Sequence, residues 1–184
     1  MLLVNPCFNI YCITTLCPVL WDVLGFAGSR PDPPTAEIYF SLPSVQSALH
    51  VPPTKWVQCA TTPVFPLGDS SRPSALCPIL PRVIENSVRT VIAHGALDYV
   101  LLQEGTLLAI QNMTWGGAQG FTERPQEGFW VPYAGRGTAG KTRTERGLTW
   151  VGVDLAGHMV PQYQPAASLR MLEFLVGDVE SLVE

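Results

Sequence analysis

The last hundred residues carry the sharpest hydrophobic patterning. Residues 89–94 form a compact apolar run closed by Gly95, and residues 148–155 form a second. Short continuous runs of this kind predict strands buried on both faces. Between them, Leu102, Thr106, Ala109 and Ile110 fall on one stripe, which predicts a helix over 99–113. Residues 116–147 alternate glycine, aromatic and polar positions and predict a hairpin with a polar tip at 136–147. Pro165 opens a final helix on which Ala166, Leu169, Leu172 and Val176 recur near a 3.6-residue period. The order strand, helix, hairpin, strand, helix predicts an α/β fold. Upstream the rhythm is weaker. Pro43 near a helix start, with Leu42, Val45, Ala48 and Leu49 on one side, predicts a helix over 43–50. Residues 81–87 predict another short helix. Prolines and serines make 52–81 mostly irregular, and residues 1–35 read as a Cys/Pro-rich loop region around one short helix at 18–24.

Composition adds limits to this picture. Of 184 residues, 47% are apolar and only 14% charged, against a usual charged fraction of about 25%. That excludes a disordered charged tail. It also leaves little charge to solvate a closed surface, so part of the surface is expected to pack against further polypeptide. The net charge is −4, and basic residues cluster only at 141–146, which argues against a nucleic-acid partner. Five cysteines (Cys7, Cys12, Cys17, Cys59, Cys77) include no CxxC pair, and only three histidines accompany them. A metal site is therefore not expected. Three cysteines within eleven residues read as loop staples of an exported protein. Cys59 and Cys77 also fit free core thiols. Residues 2–4 are too short an apolar run for a signal peptide. Asn9, Pro18 and Asp22 break the apolar stretch 8–28, which argues against a membrane span.

Two residues follow the predicted strands where open α/β sheets place their sites. Asp98 lies four residues past His94, and His158 lies in Ala156-Gly157-His158-Met159-Val160-Pro161. An acid and an imidazole on neighbouring strand ends can hydrogen-bond, and the carboxylate then fixes the tautomer and stabilises the imidazolium. Taken singly, Asp98 also fits a helix N-cap, and His158 a satisfied loop or core histidine. Such a pair needs a nucleophile. In α/β hydrolases the chain order is Ser, Asp, His, with Ser in a GxSxG turn. No GxSxG occurs here, and Gly68-Asp69-Ser70-Ser71 reads as a turn.

At these residues the sequence resembles the serine carboxypeptidase family, in particular its fungal secreted members. Gly157-His158-Met159-Val160-Pro161, followed by Gln164-Pro165 and an amphipathic helix, resembles the segment around the family's catalytic histidine. Gly95-Ala96-Leu97-Asp98 resembles its catalytic-aspartate segment. Ser44–Leu49 with Trp56-Val57-Gln58-Cys59, and Asn5-Pro6-Cys7-Phe8-Asn9-Ile10-Tyr11, resemble earlier segments. The family's Asn-Gly-Gly-Pro-Gly oxyanion loop and Gly-Glu-Ser-Tyr-Ala-Gly nucleophile segment have no counterpart in the sequence.

The resemblance implies the C-terminal part of an α/β-hydrolase fold, with 1–42 an insertion-region remnant and 43–184 the part bearing the acid and the histidine. It implies a serine-type carboxypeptidase acting on peptide C-termini, without metal or cofactor, in the extracellular space or the vacuole. Asp98 matches the orienting acid and His158 the general base. Met159 matches a residue lining the pocket for the substrate's C-terminal side chain. Leu101 stands where many members carry a cysteine near the site. By the same resemblance Cys7 pairs with Cys17, and Cys59 bridges to a partner in the N-terminal part of the enzyme. Cys12 departs from an acid, and Cys12 and Cys77 could pair or remain thiols. Lacking nucleophile and oxyanion loop, the isolated chain is expected to be inactive. An inactive relative serving as an interaction protein, and an acyltransferase or esterase of the same fold, are the alternatives. Asn112-Met113-Thr114 is an N-glycosylation sequon, and an exported family makes Asn112 the expected acceptor.

Overall fold

The computed structural model describes residues 8–15, 38–57 and 79–184. The expectations for the helix at 18–24 and for Cys7, Cys17, Cys59 and Cys77 lie outside the described residues. The chain divides into two compact units, Met1–Phe8 with Thr15–Ser70, and Asn9–Thr14 with Ser71–Glu184.

In the first unit a 3-10 turn, Tyr39–Ser41, leads into helix α1, Pro43–Ala48. Pro43 occupies the first turn, where its missing N–H costs nothing. The helix does not bury the apolar side read from the sequence. Gln46 is the buried residue, while Leu49 is exposed. The Gln46 amide donates to Phe40 O (2.9 Å) and accepts from the Thr54 N–H (3.0 Å), and the Phe40 and Trp56 rings lie 5.6 Å apart. A helix of under two turns gains little from an apolar stripe, so a side chain that closes the loop decides which face turns inward.

The second unit is built on a four-stranded sheet. Its elements are α2 (Leu80–Asn86), β1 (Thr90–Gly95), α3 (Gln103–Asn112), β2 (Thr114–Trp115), β3 (Ala118–Gln119), β4 (Glu127–Val131), β5 (Gly137–Glu145), β6 (Leu148–Val153), α4 (Val160–Tyr163) and α5 (Pro165–Val176). The sheet order is β1-β6-β5-β4; β1 and β6 are parallel, and β5 and β4 follow antiparallel. Side chains alternate across it. Val151 and Val153 of β6 join Phe129, Val131, Ala167 and Phe174 on one face, while Leu148 and Trp150 join Ile84, Ile110, Met113 and Trp115 on the other. β6 is buried throughout, as its apolar run requires. β1 is only partly buried and Ala93 is exposed, because among the described residues it pairs on one side alone.

Two further expectations change. The polar stretch read as a hairpin tip is strand β5, enclosed between β4 and β6. Ladder bonds are made by the backbone and need no apolar rhythm; buried Thr142 adds a bond from its Oγ1 to Trp150 O at 2.9 Å. The helix expected over 99–113 begins only at Gln103, for a reason that belongs to the site below. At the far edge of the sheet the C-terminal tail covers β4: the Trp130 N–H donates to Leu182 O at 2.7 Å, and Leu182 is buried. Covering an edge in this way blocks pairing with other chains.

The β2–β3 hairpin is tied to the sheet through Glu145. Its carboxylate accepts from the Thr122 N–H (3.1 Å) and hydroxyl (2.8 Å), and pairs with Arg143 and Arg146. Arg146 lies over the Trp115 ring, 4.2 Å from its centroid. Burial alone would raise the Glu145 pKa, but the Thr122 donors and the Arg143 guanidinium outweigh it and hold it at about 2, below an ordinary 4.5. A carboxyl lowered in the folded state adds stability above its unfolded pKa and loses it as pH falls toward the folded value. Urea unfolding followed from pH 5 to pH 2 is expected to show stability falling with pH in the parent. In Glu145→Gln that loss should be visibly smaller over the same window.

Candidate active site

β1 and β6 run parallel and end side by side, with Gly95 opposite Val153. The turns leaving them are bonded to each other: the Ala96 N–H donates to Val153 O (2.9 Å), and the Leu97 N–H to Ala156 O (2.8 Å). These bonds bring Asp98 and His158 together. Nδ1 of His158 lies 2.8 Å from Oδ2 of Asp98. The Asp98 side chain is 4% exposed and that of His158 34%. The other Asp98 oxygen accepts the N–H groups of Val100 (2.8 Å) and Leu101 (3.3 Å). Asp98 therefore caps a short turn as well as facing the histidine. That turn keeps Leu102 extended and delays α3 to Gln103.

The two turns meet through glycine. A Cβ on Gly95 would stand 2.5 Å from Ala156 O and 2.7 Å from Ala156 C, and closer still to Gly157 O. A Cβ on Gly157 would stand 2.6 Å from Cys12 Cβ and closer still to Tyr11 O. The second contact introduces a segment from the Cys/Pro-rich loop region expected over 1–35. Residues 9–14 run between the two turns and bond to both. The Tyr99 N–H donates to Ile10 O (3.0 Å), the Ile13 N–H to Leu97 O (3.1 Å) and the His158 N–H to Tyr11 O (2.6 Å). The Tyr11 and His158 rings lie 5.6 Å apart at an interplanar angle of 59°. Cys12 is buried, its Sγ 3.5 Å from Thr14 Oγ1. Most of these contacts are made by main-chain atoms, so no side-chain signal in the sequence announces them.

His94 also lies near the pair, at the end of β1. Burial lowers its pKa below the ordinary 6.5, while the charge of Asp98 and a backbone hydrogen bond at Leu101 act in the opposite direction. Met159 follows at the entrance to α4, half-buried, its carbonyl accepting the Gln162 N–H at 2.9 Å. Leu101 is exposed, as are Tyr99, Val100 and Leu102 around it. Asn112 ends α3 with its side chain exposed, donating to Leu108 O at 3.1 Å. Among the described residues, no group of three His, Cys, Asp or Glu could hold a metal ion, and no helix is long and apolar enough to cross a membrane.

A parallel strand pair with helices on both faces, carrying an acid and then a histidine past successive strand ends, is the arrangement of an α/β hydrolase. The fold is found in the crystal structure of Kex1(delta)p, a prohormone-processing carboxypeptidase from Saccharomyces cerevisiae. It matches with a TM-score of 0.63 at 22% identity, over 94% of this chain and 36% of that one. The family model for serine carboxypeptidases matches residues 12–178. Similar proteins include a probable serine carboxypeptidase of Arthroderma benhamiae, 51% identical over 98% of this chain and 36% of its own length. A carboxypeptidase Y homolog of the same fungus is 47% identical over 98% and 36%, and serine-type carboxypeptidase F of Aspergillus niger is 40% identical over 97% and 38%. The chain belongs to the serine carboxypeptidase family. It spans little more than a third of the length of these relatives.

Proposed function

We propose that this chain supplies the acid and the base of a serine-type carboxypeptidase that releases C-terminal residues from peptides. The observation that carries the reading is the 2.8 Å contact between buried Asp98 and part-exposed His158. With Nδ1 turned to the carboxylate, Nε2 remains for the proton of a hydroxyl nucleophile. His158 takes that proton as the serine oxygen attacks the last peptide carbonyl. Asp98 stabilises the imidazolium, which then protonates the departing amino group. Water, deprotonated by the same imidazole, hydrolyses the acyl-enzyme. Serine and oxyanion donors come from polypeptide outside these 184 residues, since the sequence holds no GxSxG turn.

The exposed apolar residues 99–102 beside Asp98 fit this reading, as a surface for the rest of the enzyme and for substrate. Within it, Met159 lines the pocket for the substrate's C-terminal side chain. Asn112 carries an N-linked glycan, Cys7 pairs with Cys17, and the enzyme works in the secretory pathway, the vacuole or outside the cell. The likeness to these serine carboxypeptidases favours a peptidase over an interaction protein or an acyltransferase.

The test is a chimera in which this chain replaces the matching 36% of the Arthroderma benhamiae relative. The chimera is expected to hydrolyse a blocked dipeptide with a free C-terminus, and the 184-residue chain alone to show no turnover. A folded chimera without peptidase activity, or a chain active by itself, would overturn the assignment.

A further inference from the structure

His158 is held at more points than a general base needs for its proton. Asp98 bonds Nδ1, and Tyr11 O accepts the backbone N–H at 2.6 Å. One bond to a ring nitrogen still lets an imidazole swing about its side-chain torsions, and a third of this side chain faces solvent. The Tyr11 ring, 5.6 Å away and tilted by 59°, stands beside the imidazole. That separation and tilt fall within the range of favourable aromatic pairs. Tyr11 thus meets His158 through its carbonyl and through its ring, from a segment that also bonds the Asp98 turn at Tyr99 and Leu97.

We propose that Tyr11 is a positioning residue for His158, its carbonyl anchoring the histidine backbone and its ring setting the plane of the imidazole. The proposal rests on the reading of His158 as the general base. Geometry of this kind matters to rate because a displacement near 1 Å in a reacting group can cost about 10²-fold. Of the two contacts with His158, the ring contact belongs to the side chain and the hydrogen bond to the main chain, so substitution at Tyr11 probes the imidazole plane while leaving the main-chain bond in place.

Two measurements test it on Tyr11→Leu, which keeps an apolar side chain but removes the ring. In the chimera, kcat is expected to fall roughly fivefold to tenfold with KM unchanged, the size of one aromatic pair expressed in the transition state. Tyr11→Phe, which restores the ring, should recover kcat to within about twofold of the parent on the same scale. In the 184-residue chain itself, proton NMR should show a far-downfield resonance from the His158 Nδ1–H bonded to Asp98. That resonance should be sharp in the parent and in Tyr11→Phe, and broadened by faster solvent exchange in Tyr11→Leu. A packing role alone would lower melting temperature and leave both readouts in place.

An unchanged kcat with an unchanged resonance, or a loss carried only by KM, would overturn the proposal. If the parent chimera is itself inactive, the functional reading fails, and the resonance alone decides the positioning claim. Should Tyr11→Leu not fold, Tyr11→Met is read by the same two measures.

Discussion

His158→Ala in the chimera is expected to lower kcat for a blocked dipeptide by about 10⁶-fold, with KM little changed, because loss of the base in a serine triad removes nearly all of what the triad supplies. Asp98→Asn should cost about 10⁴-fold, since the amide keeps the shape but not the tautomer and charge that orient the imidazole. The difference has a structural source. His158 must accept the proton, whereas Asp98 acts through one oxygen on Nδ1 while its other oxygen holds the N–H groups of Val100 and Leu101. The double variant should be no slower than His158→Ala alone, because the two residues act as a unit. Steady-state kinetics on the three proteins, each checked for folding by its melting temperature, decide the matter. A loss below about 10²-fold for His158→Ala would be too small for a general base and would remove it from that role.

The second large effect concerns stability. Gly95→Ala is expected to destabilise the chain by about 3 kcal/mol or more, the upper part of the range for overpacking, because the atoms met by the new methyl are backbone and cannot rotate aside. Gly157 O and Ala156 O both stand in its way. The same displacement pushes the His158 turn away from Asp98, so activity should fall as well. A chain of this size should then melt roughly 6–12 °C lower. Gly105→Ala is the internal comparison. It lies in α3 with nothing within 4 Å of its added methyl, and a helical alanine is preferred over glycine by about 1 kcal/mol. The two substitutions are chemically identical and should move the melting temperature in opposite directions. Equal effects would mean that the contact between the two strand-end turns is not tight.

The strands β1 and β6, the helix α5 and the positions of Asp98 and His158 past the strand ends were legible from residue order alone. Each depends on local periodicity or on distance along the chain from a buried strand, and a long apolar run such as 148–153 has few other places to go. Strand β5 was not legible. Its Gly, Thr, Lys and Arg residues carry no apolar rhythm, and it is held by backbone pairing to strands on both sides. The inward face of α1 and the late start of α3 were decided by single side chains, Gln46 and Asp98, that bond backbone a few residues away. Only tertiary structure decided that residues 9–14 stand between the two site turns. Main-chain carbonyls at Ile10, Tyr11 and Leu97 make those bonds, and every residue type carries such groups, so composition and pattern hold no trace of the choice. The glycines at 95 and 157 are the nearest sequence sign of it, and their meaning is visible only once the backbones they admit are in place.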